Sequence, residues 1–304
     1  MKKLLTIALI LTVTFCVQAK KYKLALHLEK GKEYTQKTTA NMTIKQDING
    51  MSVEIKMMIK GDILYTVKSN DNSQYTMDVV YENMMMDMDT PQGKTSFSSN
   101  NVKEGDIMST MLSRITNKPF VLKMSNTGKV ISVNGLEKIF EGMFEGFDFN
   151  TQQKEQIVAQ LRQSYGKKAF KGSFEQITNI YPEEMVKIGS QWMTETNIEA
   201  GMSVKLRTNF ELKEASDNYY LIHGVGDMAS DPDAAFMKQN NMDMKIELNG
   251  QLISDIKIDK TSGWIIEATI SQDLSGTTHI KGNAQMPDGM KIPMSLKSKS
   301  IITK

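Results

Sequence analysis

Residues 51–59 read Met51-Ser52-Val53-Glu54-Ile55-Lys56-Met57-Met58-Ile59. Met51, Val53, Ile55, Met57 and Ile59 share one side of an extended chain, and Ser52, Glu54 and Lys56 share the other. A period of two with one apolar face is the pattern of a half-buried antiparallel strand. Asn49-Gly50 stands just upstream, the favoured pair for a two-residue hairpin because both positions accept positive φ. The alternation recurs in Lys21–Leu28, with Tyr22, Leu24, Leu26 and Leu28 on one face, and in Tyr75, Met77, Val79 and Tyr81. Asn70-Asp71-Asn72 and Asn126-Thr127-Gly128 supply turn chemistry. The first third is expected to be a meander of long strands.

The period then lengthens. Residues 103–116 carry Ile107, Met108, Met111, Leu112 and Ile115 at helical spacing, and Gly135–Phe147 carries a broad stripe of Leu136, Ile139, Phe140, Met143, Phe144 and Phe147. Asn150 and Gln153 make a capping box ahead of Ile157, Val158, Leu161 and Tyr165. Phe170, Phe174 and Ile177 suggest one more short helix before Pro182. Strands resume with Val204, Leu206, Thr208, Phe210 and Leu212. Met244, Ile246 and Leu248 run into a second Asn-Gly pair, Asn249-Gly250, and the sequence predicts a hairpin there. Trp264–Ile270 and Lys291–Ile302 complete the series.

These patterns give a mainly β (β-rich α+β) fold. Two related antiparallel meanders form curved sheets or open barrels, with a helical block between them. The expected divisions are a signal peptide over 1–19, a first β module over 20–134 containing the helix near 103–116, a helical segment over 135–181, and a second β module over 182–304. Gly31-Lys32-Glu33-Tyr34-Thr35 opens the first meander much as Gly189-Ser190-Gln191-Trp192-Met193 opens the second, and the turns at Thr127-Gly128 and Thr261-Ser262-Gly263 correspond, which points to an internal duplication.

The leader reading rests on Lys2 and Lys3, the apolar run Leu4–Val17, and Val17-Gln18-Ala19 with small residues at the −3 and −1 positions of a cleavage site. The run is too short to span a bilayer stably, so no transmembrane segment is expected after cleavage. Cys16 follows Phe15, too bulky for lipidation chemistry, so the mature chain is expected to hold no cysteine, disulfide or thiolate metal site. Export to the periplasm or cell envelope follows. Loss of Lys2 and Lys3 with the leader takes the formal charge from +2 to neutral, with lysines and acids interspersed. Such a surface has little counterion-release drive toward nucleic acid, which is excluded as a partner.

No motif carries recognisable chemistry. His27, His223 and His279 are far apart and lack the spacing of a zinc site. His223-Gly224-Val225-Gly226 lacks the lysine of a phosphate loop, and no serine sits in a Gly-x-Ser-x-Gly elbow. Asp87-Met88-Asp89 and Asp231-Pro232-Asp233 lack the glycine and distal acid of a calcium loop and are expected in solvated loops. Methionine is the compositional anomaly, at 24 residues. Met84-Met85-Met86 with Met88 could bind Cu(I) through thioethers, fill an irregular core, or form a plastic ligand surface. Methionine at ordinary apolar positions throughout, such as Met42, Met57, Met77 and Met111, favours core filling, and no cofactor or metal is expected.

The segment Tyr181-Pro182-Glu183-Glu184-Met185-Val186-Lys187-Ile188-Gly189-Ser190-Gln191-Trp192 resembles one in an uncharacterised family of exported bacterial proteins of about 300 residues, in which a proline precedes a Val-Lys-x-Gly run ending in tryptophan. The order of leader, meander, helices and second meander is similar too. That resemblance implies no activity. A non-enzymatic envelope protein is expected, binding a hydrophobic molecule or an envelope protein partner. A purely structural or assembly protein is the alternative, and an enzyme the third. Phe140, Met143, Phe144 and Phe147 are the candidate apolar ligand or lid surface. N-terminal sequencing of exported protein should begin at Lys20, and a lipid-modified Cys16 at the start would overturn the cleavage reading.

Overall fold

The computed structural model describes residues 20–304 apart from 72, 149, 151, 153, 154, 156, 160, 161, 163–165, 200–202, 232, 240, 241 and 283–285. The expected leader and Cys16 lie outside the described residues, as does much of the helix expected between Asn150 and Tyr165.

β1 (Glu33–Ile48), β2 (Met51–Asp71) and β3 (Gln74–Thr90) form the expected meander, with φ of 54° at Asn49 and 81° at Gly50 in the first hairpin. β4 (Gly93–Ser98), α1 (Ile107–Ile115), β5 (Phe120–Ser125) and β6 (Val130–Asn134) follow. α2 (Leu136–Gly142) and α3 (Lys167–Thr178) precede β7 (Gln191–Glu199), β8 (Ser203–Ala215) and β9 (Tyr219–Ser230). β10 (Met237–Gln239), β11 (Met242–Asp259), β12 (Ile265–Ile280) and β13 (Met290–Thr303) finish the chain.

These strands form one antiparallel sheet in the order β6-β5-β3-β2-β1-β13-β12-β11-β9-β8-β7, with β4 on β3 and β10 on β11. Two strands change partner along their length. β3 pairs β5 over Gln74–Val79 and β4 over Met85–Thr90, while β11 pairs β10 over Met242–Met244 and β9 over Asn249–Asp259. The molecule thus has two ends. At one, the eleven-strand path curls until both terminal strands, β6 and β7, contact α3. At the other, a shorter sheet running from β4 to β10 is left open.

The α3 contact bonds to two strand edges at once. Glu175 accepts from the Val130 N–H at 2.7 Å and the Thr178 hydroxyl donates to Gly128 O at 2.7 Å, both on the β6 side. Asn179 Nδ2 donates to Glu195 O at 3.2 Å on β7. Gly172 allows the approach, because a Cβ there would fall 2.5 Å from Asn197 O. Covering an edge with a helix is one of the ways a protein keeps strand edges from pairing with other chains.

The core fills the closed end. Tyr65, Met77, Phe120, Leu122, Met124, Leu212, Ile222 and Ile256 are among its most buried side chains, and Leu136, Ile139 and Phe140 of α2 join the same cluster. Here methionine does act as an ordinary core hydrophobe.

Four sequence expectations are corrected. Lys21–Leu28 is not a sheet strand. It makes only an isolated bridge between Tyr22 and Val186, and its Leu24, Ala25, Leu26 and Leu28 all lie in the interior. Its backbone is held from both halves: Leu26 N–H donates to Asn126 O, His27 N–H to Ser262 O, and Tyr75 Oη to Leu26 O at 2.7 Å. Lys21, Lys23 and His27 stay exposed, so the alternation holds apart from the buried Ala25, but the backbone bonds to turns and side chains instead of neighbouring strands. Asn249-Gly250 makes no hairpin, since β11 runs straight through it. A Cβ at Gly250 would lie 2.1 Å from Asp273 O, so this glycine serves a close strand approach instead of a turn. Asp87-Met88-Asp89 lies in β3, not in a loop, and the helix expected over Gly135–Phe147 is confined to Leu136–Gly142.

Leu26→Ala should cost about 2–5 kcal/mol, the range for deleting a fully buried leucine. Urea denaturation checks this, and a loss near zero would show that the segment is not part of the cooperative core.

Candidate functional site

The open end places a continuous apolar surface on the same face of the sheet that forms the core below. Met42, Met57 and Met88 are direct cross-strand partners on β1, β2 and β3. The neighbouring rungs set Ile44 opposite Ile55, and Ile59 opposite Met86, itself opposite Phe97 of β4. Directly opposed residues on neighbouring strands stand about 4.5–5.5 Å apart at Cβ, so these side chains form one surface. A bulge orients the third strand: Ile63 pairs Tyr81 but Asp62 pairs Asn83, leaving Glu82 as the extra residue. Beyond it the inward positions are Met84, Met86 and Met88, while Met85, Asp87 and Asp89 point outward.

None of Met42, Ile44, Ile55, Met57, Ile59, Met86, Met88 and Phe97 belongs to the hydrophobic core or packs against it. All remain partly exposed, and Met51 at the tip of β2 is 67% exposed. The Met84–Met88 cluster is therefore not core filling. Met84, Met86 and Met88 lie on the uncovered apolar face.

Three spaces frame the candidates. Inside the closed end, a void of about 10 Å³ touches Leu26, Gln36, Met124, Tyr181 and Trp264, the least that holds one water. That void is too small for a ligand. A cleft of about 720 Å³ lies over β13, β1, β2, β3 and β4 at the open end, where Lys56, Lys94, Lys297, Lys299, Asp87 and Asp89 occupy outward positions. Its charges are largely balanced locally, with Lys56–Glu54 at 2.9 Å, Lys94–Asp89 at 3.5 Å and Lys297–Asp273 at 2.9 Å. A cleft of about 570 Å³ lies beside the α3 seam between the β5–β6 turn and β7.

Among the described residues, no group of three His, Cys, Asp or Glu side chains is placed to hold a metal ion. His223 pairs with Asp255 at 2.8 Å and His279 with Glu247 at 3.1 Å, 32 positions along the chain in each case, as cross-strand surface pairs. Burial raises the pKa of three tyrosines, Tyr65 well upward, Tyr81 to about 12, and Tyr181 upward with its hydroxyl donating to Gly263 O at 2.6 Å. Phe140, Met143 and Phe144 are buried in the core, Phe147 packs against it beneath the Arg114 guanidinium at 4.4 Å, and none of the four lines either cleft.

Residues 72–265 match the Family of unknown function (DUF6263). The chain belongs to that family. The DUF6263 match holds β6, β7 and α3, so both sheet edges and the helix that covers them fall within it. No curated protein matches the sequence. Among solved structures, an outer membrane channel (COG4313) from Pseudomonas putida F1 aligns at 5% identity over 91% of this chain and 97% of that one, with a TM-score of 0.29. The Salmonella typhi OmpF complex with daunomycin aligns at 6% identity over 91% and 99%, with a TM-score of 0.24. Neither score reaches the range of a shared fold. No helix among the described residues of this DUF6263 member is long and apolar enough to cross a membrane, a statement that does not bear on strands.

Burial raises the pKa of Glu175, opposed in part by its bond from Val130 N–H and by Lys171. A carboxyl with a folded-state pKa above its unfolded value binds its proton more tightly when folded. Its protonation then favours folding below the ordinary value of 4.5, and this contribution is lost as pH rises through the folded pKa. Glu175→Gln keeps an acceptor for Val130 and removes the titration. Denaturation across this window should show the wild type losing stability relative to the variant as pH rises, and parallel profiles would contradict it.

Proposed function

We propose that this chain is a non-catalytic exported protein of the cell envelope that holds a hydrophobic molecule on the apolar face of its open end. The observation that carries the reading is the Met42–Met57–Met88 rung and its neighbours: an inward face, continuous with the core side of the sheet, left outside the core. Apolar surface withheld from water stabilises by about 25 cal/mol per Å², and a patch of this kind left uncovered marks a binding surface. Methionine suits it, since an unbranched, polarisable side chain adapts to ligands of varied shape. The filled interior of the closed end directs any such ligand to the open end.

The filled core also favours a second reading, an assembly protein whose open face is covered by another polypeptide instead of a small molecule. Titration with dansyl-undecanoic acid separates the two. Under the first reading the probe binds, and Met57→Asp with Met86→Asp weakens it about tenfold or more while thermal stability changes little, because neither residue is in the core. Binding unaltered by the double substitution would overturn it. Absence of probe binding, with concentration-dependent association of the protein that the same substitutions abolish, would support the second.

A further inference from the structure

The seam cleft is a different kind of site. α3 covers only part of the β7 edge: Asn179 takes Glu195 O and Gly172 abuts Asn197 and Ile198, after which the helix contributes nothing further toward Gln191. The register fixes which backbone groups face outward. Glu195 O and Asn197 O point to α3, whereas Ser190 O points to β8, where it accepts from Leu212 N–H. Alternate residues of an antiparallel strand direct their N–H and C=O to opposite sides. The N–H and C=O of Gln191 and of Met193, with the N–H of Glu195, therefore face away from β8 and toward the cleft. No hydrogen bond to any of them is formed among the described residues.

We propose that this free edge of β7, from Gln191 to Glu195, accepts an extended basic segment of a partner polypeptide as an added strand. An edge with unpaired backbone groups is a template for a strand, and peptide recognition by strand addition draws its affinity from main-chain bonds. The cleft that runs along it, about 570 Å³, has room for several residues. Charge selects the occupant. Glu183, Glu184 and Glu195 line the cleft against a single basic residue, Lys129. The carboxylates of Glu183 and Glu184 form no ion pair among the described residues, whereas Glu195 is held by Arg207 at 2.8 Å. Met193 and Met185, exposed at 71% and 55%, add apolar contact at the rim. This inference is independent of the open-face reading, for the cleft shares no residue with that face.

The test uses a fluorescein-labelled Lys-Val-Lys-Val-Lys-Val peptide and the mature chain, read by fluorescence anisotropy. Binding is expected, and it should fall about tenfold or more when alternate peptide amides are N-methylated, which removes main-chain donors without touching the protein. Glu183→Lys with Glu184→Lys should weaken it similarly while leaving dansyl-undecanoic acid titration and melting temperature unchanged, since both residues are on the surface. Met193→Pro, whose lost N–H lies on the free side, should do the same. Equal binding of the methylated peptide, indifference to the glutamate substitutions, or no binding at millimolar peptide would each overturn the proposal. Self-association abolished by Met193→Pro, without peptide binding, would assign the edge to a second copy of the chain and overturn it as well.

Discussion

A sheet that curls without closing leaves two rows of unpaired backbone groups, and satisfying them is the constraint on which this molecule depends. Three residues within five positions meet part of it. Glu175 reaches β6, Thr178 reaches Gly128 in the β5–β6 turn, Asn179 reaches β7, and Trp192 of β7 returns a bond from Nε1 to Ile180 O at 2.9 Å just beyond the helix. Burying a carboxyl here costs solvation, which its raised pKa registers, yet an uncapped buried N–H at Val130 would cost a comparable amount. The helical block between the meanders thus does for β6 and β7 what a further strand would do in a closed barrel.

With the seam covered, the interior can be dry. The extended Tyr22–Leu28 segment passes through it and ties the halves together, reaching Asn126 in the β5–β6 turn and Ser262 in the β11–β12 turn. Trp264 lies on the same boundary, its indole donating to Thr35 O at 3.1 Å and its ring 5.0 Å from Tyr65. The two turns that match in sequence both grip the same segment, one through Asn126 and the other through Ser262. A filled interior at one end and an uncovered apolar face at the other follow from where this segment and the helices stop.

Alternation and turn chemistry were enough to read the meander, because Asn49-Gly50 and the runs in β1–β3 and β8 obey the local rules that govern one-sided burial. The misreadings came where distant contacts decide. Asn249-Gly250 has the composition of the first hairpin, and only the proximity of Asp273 on β12 shows why glycine stands there. Leu24 to Leu28 alternates like a strand although it is held by turns on both sides and pairs in no ladder there. The methionine face was hidden by a single extra residue: continuing the alternation from Tyr75 through Tyr81 would point Asn83, Met85 and Asp87 inward, and the bulge at Glu82 reverses that. The unpaired side of β7 could not be read at all, since it depends on how far α3 reaches along its edge.

The place of β13 has a consequence for the order of events in making the protein. The last strand of the chain is the sixth of the eleven along the main path, inserted between β1 and β12 and paired with both along most of its length. The two meanders can each form from neighbouring segments as they emerge, yet they share no strand pairing until the final residues arrive. Such long-range closure is slow relative to local pairing. Without β13 the edges of β1 and β12 would face one another bare across the middle of the sheet, so the molecule has no centre until that strand is in place.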